Sequence, residues 1–352
     1  AISIVTTMSN LFDRYAGIYS NPGSIGDNWE RPCSFEYIND SRDPDGMQIN
    51  CGLRIHGELN RIIGNRKHSF RFLFKSQYGD AKLNYPLFAG DPVGEYNTIV
   101  LRCMYGDSWM NRFGATYLNE QWAHDTQRAL GHPVAMHGRH VHLYVNGLYW
   151  GLYDAVERPD DAFMNDHVAG PRENWDILQG LITAAEVSLA EGSRAAYDAM
   201  MALVPKSPTT TVSDVTYAQL EQYLDMPFYA DYMLLQFYSQ NYDWPRKNWR
   251  VACQRTPASP AGPPAVRFRY TAWDHESALR SYDRDRTTIG NDLADMRGPA
   301  QIYKRIRGHR KFKRLFGDRA HKHMFNGGVL CTESNLARWV RLMADVHGAI
   351  VA

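Results

Sequence analysis

Residues 241–249 read NYDWPRKNW. They follow residues 228–240 (FYADYMLLQFYSQ), a run so dense in aromatics and leucine that a helix there must be buried on most sides. Asp225 stands where a helix N-cap belongs, and Pro227 suits the first turn. The helix stops at Asn241-Tyr242-Asp243. Downstream, residues 249–253 and 268–273 read as short strands, joined by TPASPAGPPA, a Pro- and Ala-rich surface loop. Residues 301–315 and 334–346 return to helical spacing, with positive charge between them.

Upstream the period changes. Residues 52–57 (GLRIHG) form a short strand candidate. Residues 69–75 (SFRFLFK) alternate, with Phe70, Phe72 and Phe74 on one side and Arg71, Leu73 and Lys75 on the other. Residues 116–130 carry Leu118, Trp122 and Ala129 on one helical face, and Gly131 and Pro133 end that helix. Residues 141–153 make a β-hairpin about Asn146-Gly147, since both residues tolerate φ > 0. A polar hinge, Glu157-Arg158-Pro159-Asp160, follows. The order is strands with one helix, a hinge, then mostly helices with a small hairpin. It predicts an α+β chain with a small β-rich lobe at residues 1–156 and a larger, mostly helical lobe at residues 157–352. Clefts between such lobes are the usual ligand sites.

Composition narrows the function classes. The 352 residues are 44% hydrophobic and 12% aromatic, which supports a sizeable core and argues against disorder. Lys and Arg number 39 against 38 Asp and Glu, so no basic excess marks a nucleic-acid binder. No apolar run is long enough to span a membrane. Five cysteines, Cys33, Cys51, Cys103, Cys253 and Cys331, show no C-x-x-C pair and read as small buried hydrophobes. Both ends read as cut, which suggests a piece of a longer protein.

Phosphoryl transfer needs oxygen ligands for Mg²⁺, a carboxylate near the acceptor hydroxyl, and cations on the phosphates. Asp243 and Asn248 have the spacing of a kinase catalytic-loop Asp and its metal-binding Asn. Asp274, in Trp273-Asp274-His275-Glu276, ends a strand, where a second metal-binding Asp belongs. Spacing alone is weak: Asp45…Asn50 and Asp160…Asn165 share it, and Asp or Asn often merely closes a loop. The context is what distinguishes Asp243: a buried helix before it, a hairpin after it, and an acid at the hairpin's end. Lys67, Arg71 and Lys75 offer phosphate cations, with Glu120 as a partner from the helix; a solvated basic edge strand is the alternative. No G-x-G-x-x-G is present, although residues 58–63 could form a covering loop. His137, His140 and His142 raise a zinc site, but no carboxylate or Cys lies at ligand spacing in the sequence. Neither G-x-S-x-G nor H-E-x-x-H occurs.

Residues 52–57, 66–87 (RKHSFRFLFKSQYGDAKLNYPL), 142–160 (HLYVNGLYWGLYDAVERPD), 241–249 and 272–276 together resemble the CotH kinase family of spore-coat and exported bacterial proteins. So do the opening GIYSNPGSIGDNWERPCSFEYI and the late FKRLFGDRAHKHMFNGGVL. The resemblance implies a two-lobed, atypical protein-kinase-like fold. It also implies ATP and Mg²⁺, or Mn²⁺, as cofactors, Ser/Thr acceptors on exported or coat proteins, and a secreted or cell-surface location. Carried over residue by residue, Asp243 is the catalytic acid, and Asn248 and Asp274 hold metal. Lys67, Arg71, Glu120 and Tyr153 form the ATP-binding set. Partners would be ATP and a protein substrate, with no nucleic acid, for a monomeric domain. Glu276 stands where the family commonly has Asp, and the loop between Asn248 and Asp274 is long. These departures keep open a second reading, a catalytically silent nucleotide- or protein-binding module of a large surface protein. A third is transfer of another group, such as AMP.

Overall fold

The computed structural model describes residues 1–38, 46–110, 114–180, 187–207, 210–245, 247–280, 285–288 and 298–351. The chain divides into two compact units that are not continuous stretches. The first comprises Ala1–Gln121, Met136–Arg158 and Arg341–Ala352; the second comprises Trp122–Ala135 and Pro159–Val340.

The first unit carries β1 (Ile2–Val5), α1 (Met8–Phe12), β2 (Arg31–Tyr37), β3 (Met47–His56), β4 (Ser69–Leu73), β5 (Leu83–Asn84), β6 (Glu95–Tyr96), β7 (Thr98–Arg102), the start of α2 (Asn119–Ala129), β8 (Gly138–Val145) and β9 (Leu148–Glu157). Among the described residues, a closed barrel runs β1-β2-β3-β4-β7-β9-β8, with β5 and β6 as a separate ribbon. β8 returns to β1 in parallel; the other barrel pairings are antiparallel. The period-2 alternation of β4 is realised: Phe70 and Phe72 are wholly buried in the barrel core and Phe74 joins them, while Arg71 takes the opposite face. The same alternation in β7 sends Ile99 and Leu101 into that core and leaves Val100 and Arg102 on the other side. The Asn146-Gly147 turn joins β8 and β9, with φ of 50° and 81°. Strand closure leaves no open sheet edge in the barrel, so the basic residues of β4 are not edge-strand residues.

The second unit carries the end of α2, then α3 (Asp161–Val168), β10 (Trp175–Gln179), β11 (Ser188–Glu191), α4 (Ala195–Leu203), α5 (Asp214–Tyr223), α6 (Met226–Ser239), β12 (Trp249–Gln254), β13 (Val266–Ala272), α7 (Gly298–Ile306), α8 (Arg310–Met324) and most of α9 (Thr332–Val351). An α+β architecture is thus observed. It corrects one expectation: β12 and β13 are not an isolated hairpin but half of a four-stranded antiparallel sheet, ordered β11-β10-β12-β13. Residues 301–315 are not one helix either, because the chain breaks at Arg307-Gly308-His309 between α7 and α8. α6 is buried along nearly its whole length, as its composition requires. Its N-cap, Asp225, makes no side-chain capping bond; its Oδ2 instead accepts from Arg269 Nε at 3.1 Å.

Candidate functional site

α6 ends at Gln240, which turns left-handed at φ 50°, and releases the chain into residues 241–248. β12 then pairs with β13 so that Trp249 lies opposite Ala272. That register sets the residues just before β12 beside those just after β13, which is how Asn248 meets Asp274. The Asn248 Nδ2 donates to the Asp274 carbonyl at 2.9 Å. Both residues are left-handed, at φ 64° and 58°. Asn and Asp tolerate that region better than other non-glycine residues, and such outliers gather at functional sites. Ser277, on the turn after Asp274, donates its Oγ to Asp243 Oδ2 at 3.4 Å, and the Tyr242 amide donates to the Ser277 carbonyl at 3.3 Å. Lys247 Nζ lies 3.2 Å from Asp243 Oδ2. The loop bearing Asp243 and Asn248 and the turn bearing Asp274 are therefore stitched together within the second unit. The rival Asp160…Asn165 spacing has a plain structural use, since Asp160 caps α3 by accepting from the Phe163 amide.

Gln127, on α2, was not legible in the sequence. It is wholly buried, donates to the Tyr270 carbonyl at 2.9 Å and accepts from the Ala272 amide at 2.8 Å. It fixes the end of β13, two residues ahead of Asp274.

The residues of the expected ATP-binding set, Lys67, Arg71, Glu120 and Tyr153, all fall in the first unit. Glu120, on α2, has its Oε1 3.7 Å from Arg102 Nη1, with both side chains buried. Arg102 ends β7 on the face away from the barrel core. Lys67 Nζ donates to the Leu152 carbonyl and lies 4.1 Å over the Tyr153 ring. Lys75 Nζ grips both oxygens of Glu30, at 2.9 and 2.8 Å. Arg71 lies opposite Arg54 across β3 and β4 and lines a small cavity. Tyr153 is wholly buried in the barrel, with its hydroxyl donating to the His68 carbonyl at 3.1 Å. A basic residue closing the apolar run TIVLR, followed by an acid on the next helix, is the signal that would have found Arg102.

The three histidines part company. His137 Nδ1 pairs with Glu157 Oε2 at 2.9 Å, His140 Nε2 with the Tyr117 carbonyl at 2.8 Å, and His142 Nδ1 with the Tyr149 hydroxyl at 3.1 Å. His137 instead shares a cluster with two acids remote in sequence: donor atoms of Asp91, His137 and Glu157 lie within 4.8 Å of one another, a set that could take a divalent cation. All five cysteines are free and buried.

The model of the CotH kinase protein family matches residues 53–326. The chain belongs to that family. Arg102, Glu120, Asp243, Asn248 and Asp274 all fall inside the span matched to the CotH kinase proteins, while β1 and β2, which complete the barrel, precede it. Membership puts the chain in a kinase-like functional class. Comparison with curated proteins finds no match. Among the described residues, no helix is long and apolar enough to cross a membrane.

Proposed function

We propose that this CotH-family chain is an atypical protein kinase, two-lobed and kinase-like in fold, that transfers the γ-phosphoryl group of ATP to Ser/Thr side chains of exported or coat proteins. The observation that supports it best is that the β12–β13 register sets Asn248 against Asp274, while Ser277, on the turn after Asp274, donates to Asp243. The donor set fits a magnesium nucleotide. Asn248 spends its Nδ2 on the Asp274 carbonyl, so its carbonyl oxygen is the end left to act as a ligand, and with the Asp274 carboxylate it gives the hard oxygen donors that Mg²⁺ or Mn²⁺ takes. Bound nucleotide and metal supply the phosphoryl group and its charge neutralisation.

The residues of the chain do the rest. Asp243 accepts the proton of the acceptor hydroxyl as that oxygen attacks, and the bond from the γ-phosphorus to the bridging oxygen breaks, releasing ADP. In the first unit, we assign the cation for the phosphates to Arg102, held in place by Glu120, in the role of the kinase strand cation and its helix Glu. A secreted or surface location belongs to this proposal and follows from the family's coat and exported members.

The test is phosphate transfer from γ-labelled ATP. Asp243→Asn should lower transfer by about 10²–10⁴-fold while the fold and nucleotide binding survive. Asp274→Asn should weaken metal-dependent ATP binding. Unchanged transfer in both variants would sink the proposal.

A further inference from the structure

The first unit contains a cavity of about 80 Å³ lined by Ser24, Gly26, Trp29, Arg54, Arg61 and Arg71, among others. Ligand sites for drug-sized molecules run to about 300–1,000 Å³, so this one is far too small for a nucleoside triphosphate. It has room for a small tetrahedral oxyanion and a few waters.

Its charge is unbalanced. Arg54 and Lys75 are neutralised by Asp27 and Glu30: Arg54 donates Nε to Glu30 Oε2 at 2.6 Å and Nη2 to Asp27, and Lys75 holds Glu30 from the other side. Arg61 is different. Its guanidinium is half-buried and donates only to backbone carbonyls, those of Gly57 (2.7 Å), Pro22 (3.1 Å), Ser24 (3.0 Å) and Ile55. No carboxylate faces it among these bonds, and burial, together with repulsion from Arg54, pulls its pKa down. Arg71 lines the same wall. Arg54 reaches its carboxylates through Nε and Nη2, so its Nη1 is not spent on them. A buried guanidinium held by carbonyls alone gains most when an anion enters beside it.

We propose that this cavity is a seat for a single phosphate-type oxyanion, the free ion or a phosphate monoester on a peptide side chain, recognised by Arg54 and Arg71 with Arg61 supplying the uncompensated charge. The assignment of this cavity does not rest on the catalytic reading.

The experiment is calorimetric titration of the folded chain, in chloride buffer of matched ionic strength, with inorganic phosphate and, in a second arm, with a phosphoserine peptide and its serine counterpart. Saturable binding of phosphate is expected, weakened at least about tenfold by Arg71→Ala, which exchanges one charge-assisted contact for none. Tighter binding of the phosphoserine peptide than of phosphate makes the source a phosphorylated chain; equal or weaker binding makes it the free ion. Ser24→Asp, which plants a carboxylate in the cavity, should abolish phosphate binding and raise the melting temperature in phosphate-free buffer. Two results overturn the proposal: no saturable binding in either arm, or phosphate binding that disappears when the chain is saturated with Mg·ATP. The second would hand the cavity to the nucleotide and leave the catalytic reading standing.

Discussion

Lys67 shows how burial can change the chemistry of a side chain that its sequence reads simply as basic. Its ammonium is carried in over Tyr153, and burial pulls its pKa from 10.5 down to about 8. Between those two values the unfolded chain binds more protons than the folded one, so stability rises with pH across that window. Below about 8 the charge is present in both states, and the folded state bears its full desolvation cost. Lys67→Met has nothing to titrate there. The wild type should therefore gain on the variant in melting temperature between about pH 7.5 and about pH 9.5; a gap that stays constant would refute the buried-charge account. The approach of Asn248 to Asp274, by contrast, was legible, because chain order alone brings them together: a loop, a strand, a return strand and a turn. The Arg102–Glu120 pair needs β7 and α2 to be packed before it exists; the sequence offers only a basic residue at the end of TIVLR and an acid on the next helix, and no spacing joins the two.

Among the elements, β13 matters most because Asp274 hangs from its end. Gln127 secures that end from α2 by pairing with one carbonyl and one amide of the strand. Gln127→Ala leaves both backbone groups buried without this partner, at a cost of about 1–3 kcal/mol each. The expected result is a lower denaturant midpoint together with weaker metal-dependent ATP binding, since the strand end that positions Asp274 loosens. A midpoint that falls with no change in ATP binding would make Gln127 a purely structural clamp. Element recognition from sequence succeeded where a local signal exists. The β8–β9 hairpin declared itself through Asn146-Gly147, β4 through its alternating phenylalanines, and α6 through its aromatic density and its stop. It failed at β10, where WDILQ is covered on both faces and so shows no alternation. It failed again between α7 and α8, where a single Gly308 interrupts otherwise continuous helical spacing.

At the scale of the molecule, the described residues form two hydrophobic cores with no residue in common. One fills the barrel; the other gathers around α6, β12, β13, α7 and α8. The membership of each is only partly legible. The β-rich start and helix-rich remainder can be seen in the periodicity, but nothing local in residues 122–135 foretells that Gln127 will bind residues far downstream. Separate cores predict separate cooperative transitions, as in other chains where two-state unfolding fails. Two substitutions can assign them. Asp231, wholly buried on α6, takes both guanidinium bonds of Arg319 and lies 3.1 Å from His323 Nε2 and 3.6 Å from His132 Nε2. Burial works to raise its pKa, but its bonds to His132, His323 and Arg319 prevail and hold the carboxyl well below the usual carboxylate range. Asp231→Asn strips the charge from under Arg319, which for a buried pair costs about 3–5 kcal/mol, all of it in the second core. Phe72→Ala opens a void in the barrel at a similar cost of about 3–5 kcal/mol. In scanning calorimetry each variant should lower one transition and leave the other in place. If both variants shift a single transition whose calorimetric and van't Hoff enthalpies agree, the two cores melt as one.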